Sequence, residues 1–127
     1  MTVTALVIDD SKLARIVLRK AICALQPDWT VLEAADAVEA LAKIDQEAID
    51  LAVLDYNMPG QNGLALAETL REQFPKMPLA LATANVQDEI FSAARAIDVT
   101  FVAKPATPDT LRGFISGAAL RLRSRPA

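Results

Sequence analysis

The stretch Ile49-Asp50-Leu51-Ala52-Val53-Leu54-Asp55-Tyr56-Asn57-Met58-Pro59-Gly60 runs apolar, stops on a carboxylate and then turns. Four consecutive apolar residues read as a strand buried on both faces, the mark of a parallel sheet covered by helices. Met58-Pro59-Gly60 cannot extend that strand, because proline lacks the amide donor and glycine favours a turn. Asp55 therefore sits at the C-terminal lip of a central strand, where open α/β sheets bind ligands. An isolated aspartate there reads more readily as a turn cap. The rest of the chain decides between the two.

Upstream and downstream of this stretch the pattern repeats. Residues 4 to 8 form a short apolar run ending on Asp9-Asp10-Ser11, and Leu13, Ile16, Val17 and Leu25 then recur at helical spacing, with Ser11 as N-cap. Residues 29 to 33 read as a second strand, and Asp36-Ala37-Val38-Glu39 has capping-box spacing before a helix over 40 to 45. After the opening stretch come Asn62-Gly63, a helix over 64 to 73, a strand over 79 to 83, a helix over 86 to 96 and a strand over 99 to 103. The last helix, over about 107 to 122, begins with an N-cap, a first-turn proline and an acid in Thr107-Pro108-Asp109. Five strands alternating with helices predict a three-layer α/β/α sandwich around a parallel sheet, formed by one domain over residues 1 to 127.

Composition narrows the chemistry. The 127 residues are 53% hydrophobic with one Trp, one Tyr and four Phe, so the core is aliphatic. No apolar run reaches the roughly 18 to 20 residues of a membrane span and no signal sequence opens the chain, so a soluble, non-exported, cytoplasmic protein is expected. The single cysteine, Cys23, excludes an internal disulfide and reads as a buried small hydrophobe. Histidine is absent, which removes His-dependent nucleophilic catalysis and most zinc sites. Net charge is −3, yet residues 107 to 127 carry four basic residues against one acid. Arg121, Arg123 and Arg125 complement the dipole of a last helix, and nucleic-acid binding is not expected from them.

The strand ends bring chemistry together. Asp9 and Asp10 follow the first strand, Asp55 ends the third, Thr83 the fourth, and Lys104 follows the fifth. Three crowded carboxylates repel unless a cation sits among them, and an oxygen-only donor set favours a hard ion, Mg²⁺ above all. Lys104 and Thr83 add a cation and a neutral donor. Together these groups suit a transferring phosphoryl group, whose needs are positioning and charge neutralisation, with a carboxylate as nucleophile.

Four motifs, Val-Ile-Asp9-Asp10-Ser, Leu-Asp55-Tyr-Asn57-Met-Pro59-Gly, Ala-Thr83-Ala and Phe101-Val-Ala-Lys104-Pro105, occur in this order at successive strand ends. In them the chain resembles, over nearly its whole length, the CheY-like receiver domain of two-component response regulators. The resemblance implies a flavodoxin-like sheet of order 2-1-3-4-5. It implies that Asp55 accepts a phosphoryl group from a histidine kinase or histidine phosphotransfer protein, with Mg²⁺ held by Asp9, Asp10, Asp55 and the backbone carbonyl of Asn57. Thr83 and Lys104 would bind the phosphoryl oxygens, Thr83 and Phe101 would form the switch, and Asn57 and Asn85 would flank the attacking water. It further implies a cis Lys104-Pro105 bond and a downstream protein partner on the face built by the fourth helix, fifth strand and fifth helix, where Phe91, Arg95 and Phe114 are candidates.

Three places depart from the family pattern: Ala106 stands where Phe is common, Ala37 where Gly is common, and Ile97-Asp98 replaces a glycine-containing helix end that could adopt a left-handed cap. On residues alone Phe101 also reads as core, Thr83 as an ordinary β-branched strand residue and Pro105 as turn punctuation. The expected function is that of a non-enzymatic signalling domain that catalyses only its own phosphotransfer and slow autodephosphorylation. A phosphatase-like hydrolase forming an aspartyl phosphate would want Asp-x-Asp after the first strand, and a nucleotide-binding domain would want a glycine-rich loop there; neither is present. A degenerate docking module fits poorly with five intact polar positions. With no output domain after the last helix, the effect is expected to pass by protein binding, unless the chain is a receiver fragment of a larger regulator.

Overall fold

A computed structural model describes residues 2–84 and 87–124; Asn85, Val86 and Arg125 lie outside the described residues. The elements alternate: β1 (Thr4–Ile8), α1 (Lys12–Leu25), β2 (Thr30–Ala34), α2 (Ala37–Gln46), β3 (Leu51–Asp55), α3 (Gly63–Gln73), β4 (Leu79–Thr83), α4 (Asp88–Ala96), β5 (Thr100–Ala103) and α5 (Pro108–Ser124). The strands form one parallel sheet in the order β2-β1-β3-β4-β5. The expected architecture is therefore present. Strands β1, β3 and β4 match the sequence reading, while β2 and β5 begin one residue later and α2 begins at Ala37 rather than at 40.

Alternation along the strands sorts the core into two layers. Ala5, Val7, Leu51, Val53, Ala80, Ala82 and Val102 face α1 and α5, meeting Leu18, Ile22, Leu111 and Ile115. Leu6, Ile8, Ala52, Leu54, Leu79 and Leu81 face α2, α3 and α4, meeting Ala40, Leu66, Leu70 and Ala94. Both sides of β3 are thus dry, and all five of its residues are buried. The strand order reverses between β1 and β3, and a crevice at the strand ends opens at such a reversal. Asp9 and Asp55 stand on its two sides.

Local signals explain the helix starts. The Ser11 side chain accepts from Ala14 N, Asp36 from Glu39 N and Asn62 from Ala65 N. In α5 the Thr107 hydroxyl accepts from Thr110 N at 3.2 Å. Helix α4 lacks such a side-chain cap at Gln87.

Three expectations need correction. Cys23 is only half-buried, packed against the α1/α5 layer. Phe114 is buried in that same layer, whereas Phe101 packs in the opposite one with α4, so the two rings do not share a surface. Loss of the glycine after α4 does not lose the left-handed turn: Asp98 itself adopts φ 58°. Aspartate tolerates that conformation better than most side chains. Arg71 then secures the corner, donating to the carbonyls of Ile97 at 2.9 Å, Asp98 at 2.9 Å and Met77 at 2.7 Å. No helix among the described residues is long and apolar enough to cross a membrane.

Candidate functional site: an acid cluster at the sheet lip

The lip residues converge as a consequence of register. Val7 and Val53 are paired, so the next residues of that face, Asp9 and Asp55, leave adjacent strands side by side. Oxygen atoms of Asp9, Asp10 and Asp55 lie within 4.8 Å of one another. Asp9 and Asp55 are buried, at 1% and 4% exposure, and Asp10 is exposed, so the cluster opens to solvent on one side.

Lys104 closes the other side. The Lys104-Pro105 peptide is cis. The Lys104 amide donates to the Thr83 carbonyl at 3.0 Å, fixing the lysine beside the end of β4. Its Nζ donates to Asp55 Oδ1 at 2.8 Å and to Asp9 Oδ2 at 3.1 Å. Burial pushes the Asp55 carboxyl above its ordinary range, against the Lys104 hydrogen bond, while the charge of Asp9 pushes it further up. The lysine goes the other way in energetic terms. Burial works to lower its pKa, yet the hydrogen bonds to Asp55 and Asp9 and their charges win, so the ammonium is held above its usual value. One cation shared by two buried acids satisfies the cation and leaves the acids short of positive charge.

The backbone around the acids is tightly determined. Asp9 N donates to the Ala34 carbonyl at 3.1 Å, and Ser11 N donates to Asp9 Oδ1 at 2.9 Å. The backbone N–H of Asn57 donates to the Asp55 carboxylate. Gly63, which the sequence places just before a helix, has a steric role. A Cβ there would stand 2.1 Å from the Asp55 carbonyl oxygen, so only glycine lets the start of α3 lie this close beneath the acid. Gly60 at φ 79° makes the turn between them.

Thr83 ends β4 next to this cluster and is 1% exposed. By strand alternation it shares a face with Leu79 and Leu81, the face that also carries Phe101, which is in register with Leu81. Phe101 is half-buried with its ring 5.6 Å from that of Phe91, the planes inclined at 58°. Beside the pair lies a groove of about 340 Å³ lined by these rings with Arg95, Asp98, Val99 and Thr100. Thus the sequence-derived set separates into two groups. Asp9, Asp10, Asp55 and Lys104 form one contiguous cluster, joined by the Asn57 amide, while Thr83 and Phe101 belong by alternation to the face covered by α3 and α4. Asn85 lies outside the described residues. Arg15 and Glu33, which sequence reasoning missed, join at 3.0 Å beneath Asp9, and only the spatial adjacency of β1 and β2 reveals them.

Known proteins are similar to this chain. Residues 5–116 match the response regulator receiver domain. The chain is 34% identical over 122 residues to the cyclic di-GMP phosphodiesterase response regulator RpfG of Xanthomonas campestris pv. campestris, covering 94% of this chain and 32% of that protein. It therefore spans about a third of that relative's length. With chemotaxis protein CheY1 of Helicobacter pylori it is 33% identical over 111 residues, covering 84% of this chain and 89% of that one. The solved structure of Vibrio cholerae chemotaxis protein CheY4 superposes with a TM-score of 0.82 at 26% identity, covering 93% of this chain and 99% of that chain. The chain belongs to the receiver domain family of two-component response regulators.

Proposed function

We propose that the protein is a phosphorylation-controlled switch in which Asp55 accepts a phosphoryl group from a histidine kinase or histidine phosphotransfer protein. The observation that carries this reading is the buried Asp55 carboxylate, hydrogen-bonded by Lys104 at 2.8 Å inside a three-acid cluster at the sheet's reversal point. A carboxylate oxygen attacks phosphorus, an acyl phosphate forms, and the phosphorus–nitrogen bond to the donor histidine breaks.

The donor set fits Mg²⁺. Asp9, Asp10, Asp55 and the backbone carbonyl of Asn57 would hold it, and the exposure of Asp10 suits an ion that keeps part of its water. When bound, Mg²⁺ supplies the positive charge that the acids and the phosphoryl oxygens both need. Lys104, already a donor to Asp55, exchanges a carboxylate for a phosphoryl oxygen. Thr83 donates its hydroxyl to another. That movement vacates room on the face shared with Phe101, whose half-buried ring then turns further inward. Burying the rest of the ring favours the active form by about 1 to 2 kcal/mol. Such a bias changes a two-state ratio by about five- to thirtyfold, so the active form is already sampled before phosphorylation. The altered surface includes Phe91 and Arg95 on α4, and a protein partner reads it there.

The test is Thr83→Ala, treated with acetyl phosphate and Mg²⁺ and followed by NMR. The variant is expected to take up phosphate as the unsubstituted chain does while Phe101 and α4 stop responding. A full response in the variant would show that the signal reaches Phe101 by a route without Thr83. No response in the unsubstituted, phosphorylated chain would remove the switch altogether.

A further inference from the structure

Beneath the acid pair, Arg15 on α1 bridges two strands. Its Nε donates to Glu33 Oε1 on β2 at 3.0 Å, and its Nη1 donates to the backbone carbonyl of Asp9 at 2.7 Å. Glu33 is held from its other oxygen by Arg19. The Arg15 and Glu33 side chains are only 15% and 26% exposed, so the fork is shielded on most sides. The carbonyl that Arg15 grips belongs to the peptide joining Asp9 to Asp10. Rotation of that peptide would swing the Asp10 carboxylate relative to the Asp9 carboxylate. We infer that Arg15, oriented by Glu33, is a positioning residue that sets the relative direction of the two acids.

The chemistry favours orientation over charge. Glu33 is shared by Arg15 and Arg19 and offsets one of their two charges, while Arg15 reaches Asp9 through its backbone carbonyl and not through its carboxylate. What remains is geometry: a planar fork whose two donors point in fixed directions, one anchored on a carboxylate and one on the peptide. Two like charges on consecutive residues repel and would splay when no cation binds them. Asp9 is fixed independently by Ala34, Ser11 and Lys104. Asp10 is exposed, so the peptide preceding it is where an outer group gains most.

This role rests on the proposed function, and the test separates the two. Mg²⁺ is titrated into the unsubstituted chain, Arg15→Lys, Arg15→Gln and Glu33→Gln, following the backbone amide shifts of Asp10, Asp55 and Asn57. Outer groups that orient metal ligands typically alter affinity by about 10- to 100-fold. Here the grip is on the peptide, so the dissociation constant is expected to rise about tenfold in both Arg15 variants. Glu33→Gln keeps an oxygen for Nε and is expected to change it by less than about threefold. At saturating Mg²⁺ the rate of labelling by acetyl phosphate in Arg15→Lys should return to within about twofold of the unsubstituted rate, because orientation once enforced by the ion is no longer missing. The thermal midpoint in chelator is read alongside. A merely structural residue would lower that midpoint and leave the dissociation constant unchanged, which would overturn the inference. Full affinity in Arg15→Lys with weakened affinity in Arg15→Gln would assign the effect to charge and overturn it equally. Absence of Mg²⁺ binding in the unsubstituted chain would contradict the proposed function itself.

Discussion

Replacing Gly63 with alanine tests whether the close approach of α3 to Asp55 shapes the site. The added methyl would lie 2.1 Å from the Asp55 carbonyl oxygen, 2.8 Å from its carbon and 2.9 Å from Leu81 Cδ1. An ordinary carbon–oxygen contact is about 3.3 Å, so roughly 1.2 Å must be relieved. Two of the three opposing atoms are backbone in the most buried strand, which cannot rotate away. Overpacking of this kind costs about 1 to 3 kcal/mol, and the rigid partner puts Gly63→Ala at the upper end. Alanine recovers up to about 1 kcal/mol of helix propensity, leaving a net loss of about 2 kcal/mol. In urea, with a slope near 2 kcal/mol per molar, the midpoint should fall by about 1 M. Gly113 and Gly117 in α5 are the internal controls, since a Cβ at either meets nothing within 4 Å. Alanine there should raise stability by about 0.5 to 1 kcal/mol each. The same shift of α3 should carry the Asp55 peptide with it and slow labelling by acetyl phosphate. Stability of Gly63→Ala within about 0.5 kcal/mol of the unsubstituted chain would refute the steric argument.

Further outcomes follow from the charges and the backbone. At 10 mM Mg²⁺ and a dissociation constant of about 1 mM, binding should stabilise the fold by about 1.4 kcal/mol, a rise of about 3 to 6 °C in thermal midpoint that Asp10→Ala abolishes. Asp55→Asn should be more stable than the unsubstituted chain in the absence of Mg²⁺, and the sign follows from linkage. The folded-state pKa of Asp55 lies above its ordinary 3.8, so the native state binds the extra proton and stability falls as pH rises through that window. The advantage of Asn should therefore vanish below about pH 4, grow through the window and level off above the folded pKa; a constant difference at all pH values would contradict it. Asp98→Gly removes a left-handed side chain, a weak, exposed contact with Arg121 at 3.8 Å and a negative charge near Arg71. Urea unfolding should show a gain of about 0.5 kcal/mol, and a loss above about 1 kcal/mol would place more weight on that aspartate than its surroundings support.

The strand-by-strand reading succeeded where one residue's chemistry decides its own neighbourhood. Leu51 to Leu54 are apolar because both faces of β3 are covered, and Asp55, still buried, ends the strand beside an acid cluster that opens to solvent at Asp10. Ser11, Asp36 and Thr107 cap because their oxygens reach amides three residues on. What escaped were relations set by distant segments. Arg15 and Glu33 are 18 residues apart and meet only because β1 and β2 pair. Arg71 reaches Ile97 across 26 residues, and no local pattern marks an arginine that will collect carbonyls. The steric need for Gly63 has no local mark, because its clash partner, the Asp55 carbonyl, is brought beneath it by the return of the chain. Sequence adjacency of β5 and α5 makes Phe114 a candidate for the same surface as Phe101, yet the two elements carry the rings on opposite sides of the sheet.

Most directly, the account is tested by where a phosphoryl group goes. The chain is incubated with acetyl phosphate and Mg²⁺, the adduct is counted by intact mass, and the modified residue is mapped by reductive trapping of the acyl phosphate. One base-labile group on Asp55, absent from Asp55→Asn, is the result predicted from a buried, lysine-paired carboxylate in an acid cluster. The same label on the Asp55→Asn chain, or a label mapped to Asp9 or Asp10, would contradict it.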